Sequence, residues 1–436
     1  TPLYSSAASD VYKRQVLLFG RGEIVIKKAI IPLGGLGTRL YPLTVDTSKA
    51  MVRFLNRPLI EHILSMLASQ GVKEFYIGVS GYYNYTQVVD YLGGGERLAA
   101  MLGLSPDSIR VRYQPNFSTS GNAESVKILM DYYDIDEAVL VVQGDIIFNI
   151  DLYDLWKIHR ESEAGMTIVL KELDHGDDIT RFGVADIDSD MNIKGFVEKP
   201  KSPAHAPSRL INTGIYVIEP WIRRFFDDEV GRKMRINGLT DFGSHVIPEV
   251  ISRGMKVKGY ILKSYWFDIG TPESYMKASF YLLRNLSPQD LRVTRVYGGV
   301  RMMGRSSLSR KLHERLVGMI EKGLLRVGGD ILIGRHVDLS EGVDLWDTII
   351  DNYTVIMSGS RISRSIVMDR CVIGEKTVIE GSIIGRHTYI GRGSKIVNSV
   401  IGNNTHIGEG SLIINSKIWP GKNVEQRSVV ENRYLT

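Results

Sequence analysis

Ala29-Ile30-Ile31-Pro32-Leu33-Gly34-Gly35-Leu36-Gly37-Thr38-Arg39 decides how the first half of the chain folds. An apolar run that empties into three closely spaced glycines reads as a buried strand followed by a turn. Backbone N–H groups in such a turn can meet a polyanion, because glycine has no Cβ to hold it off. Leu40 stands where a dinucleotide-binding G-x-G-x-x-G has its last glycine, and the Gly-Lys-Ser/Thr ending of a P-loop is missing. Arg39 offers instead a fixed cationic fork suited to phosphate oxygens. A plain glycine turn would look the same in isolation.

Outward from the turn, Tyr41-Pro42-Leu43-Thr44 leads to Ser48-Lys49, a second cation. Asn56 and Pro58 supply helix-start chemistry, and Ile60, Ile63, Leu64 and Leu67 share one helical face before Gly71. The run Phe75–Val79 follows as a strand, so strand, helix and strand give a βαβ unit of a parallel sheet covered on both faces.

The chain has 436 residues, too many for one ordinary core, so at least two domains are expected. Its 43% hydrophobic and 24% charged content is that of a globular protein, and a net charge of +5 at this length implies no nucleic-acid partner. No apolar run reaches the roughly 18 residues that span a bilayer, so no membrane partner is expected either. Cys371 is the only cysteine, which excludes an internal disulfide framework and leads us to expect a cytoplasmic protein. Residues 1–26 show no usable periodicity and read as a non-native or disordered leader, with the native start near Val25.

Further along, the apolar strand Ala138–Val142 delivers Asp145 at its carboxyl end, where open α/β sheets bind ligands. A second carboxylate, Asp268, lies in Tyr265-Trp266-Phe267-Asp268-Ile269-Gly270-Thr271. Two separated aspartates can converge on one Mg²⁺, which takes hard oxygen ligands and completes its shell with water and phosphate. An aspartate after a strand is also a common turn former. Phe182–Ala185 and Gly195–Pro200 flank Asp188-Ser189-Asp190 and read as a hairpin.

These residues resemble the sugar-1-phosphate nucleotidyltransferases, or nucleotide-sugar pyrophosphorylases, over Lys28 to about Leu283. The signature loop is Gly34-Gly35-Leu36-Gly37-Thr38-Arg39-Leu40-Tyr41-Pro42-Leu43-Thr44 followed by Ser48-Lys49. The resemblance implies a Rossmann-like α/β catalytic domain over 27–285, with Arg39, Lys49, Asp145, Lys199 and Asp268 as catalytic residues and Asp145 and Asp268 as Mg²⁺ ligands. It implies nucleotide binding by Leu33, Gly34, Gly35, Gly37, Thr38, Gln114 and Gly121. It implies sugar-phosphate binding by Gly183, Glu198, Lys199, Asn212 and Thr213. The base-binding segment reads Gly121-Asn122-Ala123 in place of the family's Gly-Thr-Ala.

Residues 286–329 read as a linker with a helix at Ser306–Lys322, whose stripe is Leu308, Leu312, Leu316, Met319 and Ile320. Its excess of Arg and Lys suits a solvated face or a polyphosphate site. From Ile333 to Ile418, steps of 6, 6 and 5 residues land every time on Ile, Leu or Val, a 17-residue period. That marks stacked three-sided coils with an aliphatic ladder inside. Two residues before each later stop sits a small residue, Cys371, Thr377, Ser382 or Thr388 for example. The pattern resembles the hexapeptide repeat of left-handed parallel β-helices, placed here over 330–436. Cys371 fills a packing slot and is expected to be unreactive.

The expected reaction is NTP + sugar-1-phosphate ⇌ NDP-sugar + pyrophosphate, with Mg²⁺ and with the β-helix supporting a homo-oligomer. Branch signals diverge: Tyr-Trp-x-Asp-Ile-Gly-Thr is similar to ADP-glucose enzymes, Ser-Lys to the thymidylyl branch, and the β-helix to GDP-mannose enzymes. UTP or dTTP with glucose-1-phosphate is favoured, GTP with mannose-1-phosphate next. The rivals are a non-catalytic regulatory subunit, against which all five catalytic positions argue, and a two-activity enzyme with an acetyltransferase built on His387 or His406.

Overall fold

The computed structural model describes residues 26–35, 37–79, 81–116, 121–304 and 306–436. The expected leader, apart from the buried Ile26, lies outside the described residues. The chain divides into two compact units, Thr1–Gly35 with Glu61–Trp266, and Leu36–Ile60 with Phe267–Thr436.

The first unit is built on a mixed sheet of β1 (Lys28–Leu33), β2 (Glu74–Val79), β3 (Arg110–Tyr113), β4 (Val139–Val142), β5 (Met166–Glu172), β6 (Gly183–Ile187), β7 (Ile193–Glu198), β8 (Leu210–Ile218) and β9 (Val257–Ile261). Its order is β7-β6-β8-β4-β1-β2-β3, with β5 beside β8 and β9 beside β5. The strands β4, β1, β2 and β3 are parallel, whereas β8 runs antiparallel to β4 and β5. Val139 to Val142 and Ala29 to Ile31 are fully buried, the continuous apolar pattern of strands covered on both faces. One cover is the helix Asn122–Tyr132, whose Ala123, Val126, Leu129 and Met130 pack with Ile30, Tyr76 and Val141. Each such side chain contributes about 1.5–3 kcal/mol by leaving water. The hairpin of β6 and β7 forms as expected; Asp188 accepts from the backbone N–H of Asp190 and Asn192 (both 2.9 Å).

The helix predicted after Asn56 runs Leu59–Ser69 and buries Ile60, Ile63, Leu64 and Leu67. Asn56 itself does not cap it. Leu55 (φ 45°) and Asn56 (φ 64°) make the left-handed turn of a short hairpin, Arg53–Phe54 against Arg57–Pro58. Asparagine tolerates that conformation, so the same residue type served a different turn.

In the second unit the repeats form three parallel ladders at the 17-residue pitch. Leu345, Ile362, Ile379, Ile396, Ile413 and Val430 stack in one. Ile350, Val367, Ile384, Ile401 and Ile418 stack in the second, and Leu339, Ile356, Ile373, Ile390, Ile407 and Val424 in the third. This is a parallel β-helix with an aliphatic core. Small polar residues at the corners turn inward: Ser360 Oγ donates to Gly374 O (2.8 Å), Ser394 Oγ to Gly408 O (3.0 Å), and Cys371 Sγ to Gly385 O (3.0 Å). Burial pushes the Cys371 thiol pKa well above its ordinary value.

Each side of a coil ends in a left-handed residue, as at His336, Gly342, Asp347, Tyr353 and Gly359. The helix Ser307–Glu321, capped by Ser306, closes one end of this core with Leu316 and Met319, while Leu308 lies exposed at 58%. A stack of coils needs such a cap where its last apolar layer would face water.

Candidate nucleotide and sugar-phosphate site

In the first unit β1 and β4 run parallel, Ala29 opposite Leu140, and deliver their following residues to the same edge of the sheet. Beyond β1, Gly34 and Gly35 are exposed, Gly35 with φ 88°. A Cβ built on either meets nothing within 4 Å, so their backbone faces open space, as a phosphate cradle requires. Beyond β4, Gln143 N donates to Gly214 O (2.9 Å) and Asp145 is half-buried. Leu33 packs its side chain on Gly144, where a Cβ would come within 1.9 Å of Leu33 Cδ2.

Glu198, the last residue of β7, lies against two glycines. A Cβ on Gly183 or Gly243 would come within 2.5 or 2.6 Å of its Oε2. Lys199 turns left-handed (φ 48°) and sets its Nζ 3.4 Å from Glu198 Oε1, with a side chain 65% exposed. Burial raises the Glu198 pKa, Lys199 opposes that shift, and Asp241 adds to it. On β8, Asn212 Nδ2 donates to the Tyr216 hydroxyl (2.9 Å), and Asn212 Oδ1 accepts from Gly214 N (3.0 Å). Thr213 is buried and its hydroxyl donates to Val169 O (2.7 Å), so it acts here within the sheet.

Burial pushes the Tyr216 phenol well up; Asn212 opposes this, and the charges of Asp241, Glu198 and Asp145 push it further. Three carboxylates therefore bear on one buried tyrosine, to which Asn212 is hydrogen-bonded. Sequence reasoning missed Asp241 and Gly243. The available signal was Asp241-Phe242-Gly243, a capping aspartate followed by a glycine: Asp241 Oδ1 accepts from Ser244 N (2.9 Å) and its Oδ2 from Asn122 Nδ2 (3.0 Å).

The predicted base-binding pair is held by protein groups. Gln114 is 2% exposed; its Oε1 accepts from Ser125 Oγ (2.6 Å) and its Nε2 donates to Asn116 O (2.8 Å). Gly121 precedes the helix Asn122–Tyr132, and a Cβ there would press on Thr240 O at 2.5 Å. Phe117 to Ser120 of this loop lie outside the described residues.

In the second unit, Gly37 (φ 63°) opens a single turn, Thr38–Leu40, that carries Arg39, and a second turn, Lys49–Met51, carries Lys49. Both cations face one carboxylate. Arg39 Nη2 is 3.8 Å from Asp268 Oδ2, and Lys49 Nζ is 4.0 Å from Asp268 Oδ1. The Lys49 and Asp268 side chains are 11% and 13% exposed, Arg39 58%. Thr44 Oγ1 donates to Gly37 O (2.7 Å) and so ties the intervening loop back onto the glycine turn. Among the described residues no three metal-ligating side chains cluster. An ion bound through Asp145 or Asp268 would therefore take most of its shell from phosphate and water, which suits Mg²⁺ and its hard oxygen donors. No helix among the described residues is long and apolar enough to cross a membrane.

Residues 28–285 match the family described as Nucleotidyl transferase. The chain belongs to that family. In this nucleotidyl transferase, residues 327–435 further match the GMPPB C-terminal domain. A glucose-1-phosphate adenylyltransferase of Bacillus cereus (strain Q1) is 28% identical over 362 residues, 79% of this chain and 90% of the relative. A mannose-1-phosphate guanylyltransferase of Mycobacterium tuberculosis is 28% identical over 345 residues, covering 78% and 83%. The crystal structure of a Bacillus anthracis protein assigned as a glucose-1-phosphate thymidylyltransferase, in complex with sucrose, superposes with a TM-score of 0.50. It shares 25% identity and covers 60% of this chain and 96% of that one. These relatives are all sugar-1-phosphate nucleotidyltransferases, and between them they name three bases and two sugars.

Proposed function

We propose that this nucleotidyl transferase moves a nucleotidyl group from an NTP to a hexose-1-phosphate, giving an NDP-sugar and pyrophosphate. The observation that carries the reading is the Arg39–Asp268–Lys49 arrangement of the second unit. The carboxylate holds two cations ready for an incoming polyanion, and Arg39 keeps its exposed side for phosphate oxygens.

The residues then divide by role. Gly34, Gly35, Gly37 and Thr38 receive the triphosphate through backbone N–H groups, with Arg39 and Lys49 offsetting its charge. Leu33 supports the turn from below, and Gln114 and Gly121 wall the base. Glu198 and Asn212 accept from and donate to sugar hydroxyls, Gly183 and Thr213 shape that side, and Lys199 meets the sugar phosphate. A sugar-phosphate oxygen attacks the α-phosphorus in line as the bond to the β-phosphate oxygen breaks, and pyrophosphate carries away the negative charge. No covalent enzyme intermediate is required, so the chain's own work is orientation and charge stabilisation. Asp145 and Asp268 would hold Mg²⁺, which when bound offsets phosphate charge.

UTP or dTTP with glucose-1-phosphate is our first pair, and GTP with mannose-1-phosphate the next. The β-helix would assemble a homo-oligomer, which light scattering on the eluting protein measures. The activity is tested by pyrophosphate release with Mg²⁺ across ATP, GTP, CTP, UTP and dTTP against glucose-, mannose-, galactose- and N-acetylglucosamine-1-phosphate. One productive pair is the expected result; silence across the grid from folded protein would overturn the reading.

A further inference from the structure

Along one edge of the β-helix, coil after coil meets the segment that carries the two cations. Ile350 O accepts from Asn56 Nδ2 (2.9 Å), and Asp351 accepts from Arg53 Nε (2.6 Å) and Nη2 (2.7 Å). Asn403 Nδ2 donates to Asp46 Oδ1 (2.7 Å) and Thr47 Oγ1 (3.1 Å). The ring of Trp419 meets Tyr41 edge-on, centroids 6.0 Å apart. Ile350 and Ile418 are four steps apart in the same ladder, so these contacts climb about 19 Å at a strand spacing of about 4.8 Å.

Asn403 reaches the loop two residues from Lys49. It is 5% exposed, and its carboxamide is oriented from behind, because Oδ1 accepts from Arg386 N of the preceding coil (2.8 Å). Its amino group is thereby aimed at the loop. Thr47 is two residues from Lys49, and Thr44 in the same loop bonds Gly37 of the glycine turn. A change at Asn403 therefore reaches both ends of the loop: the ammonium facing Asp268 and the turn leading to Arg39. An apolar contact would hold the loop equally near but would not fix its register, since only the hydrogen bonds are directional.

We propose that Asn403 is a positioning residue for nucleotidyl transfer, holding the Thr44–Lys49 loop from the β-helix so that Lys49 and the glycine turn keep their mutual placement. The kinetic side of this rests on the proposed function; the structural side does not. The β-helix then takes part in building the triphosphate site and is more than an assembly module.

The test uses the full chain and three variants: Asn403→Asp, Asp46→Asn and the two combined. Asn403→Asp keeps the acceptor for Arg386 N but sets a carboxylate against Asp46. We expect faster backbone hydrogen exchange across residues 44–49, and kcat/KM for the NTP about 10- to 100-fold lower. The KM for the sugar phosphate should stay within about twofold, since Lys199 is untouched, and the double variant, which exchanges donor and acceptor, should restore exchange and rate. Unchanged exchange over 44–49, or an equal loss toward both substrates that the double variant does not rescue, would overturn the proposal. If Asn403→Asp fails to fold, Asp46→Ala leaves the coil sequence intact and must give the same loop signature; without it the proposal fails. If the wild type turns over no substrate pair, the proposed function falls, while loop exchange alone still decides whether Asn403 holds the loop.

Discussion

Arg53→Met would remove a guanidinium from a buried carboxylate while keeping most of the stem that packs there. Asp351, its side chain 2% exposed, accepts two bonds from Arg53, and Asp369 sits 3.9 Å from Arg53 Nε on the next coil. Burial pushes the Asp351 carboxyl above the usual range, and Arg53 is the chief force against that shift. At Asp369 burial also pushes upward, but the Arg386 bonds and the charges of Arg386 and Arg53 bring its pKa below normal. A buried charge stripped of its partner costs about 3–5 kcal/mol. For a unit of this size that lowers its melting temperature by about 6–20 °C. The pH dependence follows from the sign. Without Arg53 the folded-state pKa of Asp351 rises further above its unfolded value, so the penalty is full above that raised pKa and fades as pH falls through it. The deficit should therefore narrow as pH is lowered. Calorimetry of the full chain measures the loss. Arg53→Met with Asp351→Leu should recover most of the loss, because replacing both partners by apolar groups removes the buried charge. A deficit that does not narrow as pH is lowered, or a double variant no better than the single one, would refute the reasoning.

Asp145→Asn should abolish pyrophosphate release while the circular dichroism spectrum stays unchanged, since charge is lost and volume kept; near-normal turnover would remove Asp145 from the site. Glu198, its pKa raised by burial against the opposing Lys199, should give kcat/KM for the sugar phosphate an acid limb above the ordinary glutamate value of about 4.3. Glu198→Gln should abolish that limb, as a pH–rate profile would record. In the β-helix, Ile396→Ala should cost about 2–5 kcal/mol in urea unfolding, because Ile396 is fully buried between its ladder partners Ile379 and Ile413. Cys371→Ser should stay within about 1 kcal/mol, since a hydroxyl can make the bond that Sγ makes to Gly385 O.

Legibility followed periodicity. The ladder from Ile333 to Ile418 was readable residue by residue, because a coil with one buried side chain per side writes its pitch directly into the sequence. The left-handed corners were not, since His336, Asp347, Tyr353, Lys376 and Asn398 share a backbone conformation and no side-chain chemistry. The parallel strands β1, β2 and β4 were legible as apolar runs, whereas the reversed direction of β8 was not: Leu210–Ile218 is equally apolar whichever way it runs. At the candidate site the charged groups proposed here were legible as candidates from their motifs. What escaped were their neighbours: Gly243 against Glu198 Oε2, the charge of Asp241 bearing on Glu198, and Asn403 bonded to the loop that carries Lys49. These act through contacts far apart in sequence, where local spacing carries no signal.

The division into two units bears on why a nucleotidyl transferase carries its cations where it does. Gly34 and Gly35 follow a strand of the first unit, yet Arg39 and Lys49 belong to the second, where both face Asp268. The segment Leu36–Ile60, without a regular strand or long helix through its first half, has little of its own to fix it. The β-helix is the opposite kind of object: each coil is locked to its neighbours by ladder bonds and a filled aliphatic core. Laying the loop against that edge through Asn403, Asp351 and Trp419 places two cations on a rigid support while their heads stay toward Asp268. Electrostatic stabilisation of a transferring phosphoryl group depends on charges that need no reorganisation as the reaction proceeds. Rigid backing of Arg39 and Lys49 is therefore what the proposed chemistry requires, and the β-helix is the element of the second unit stiff enough to provide it.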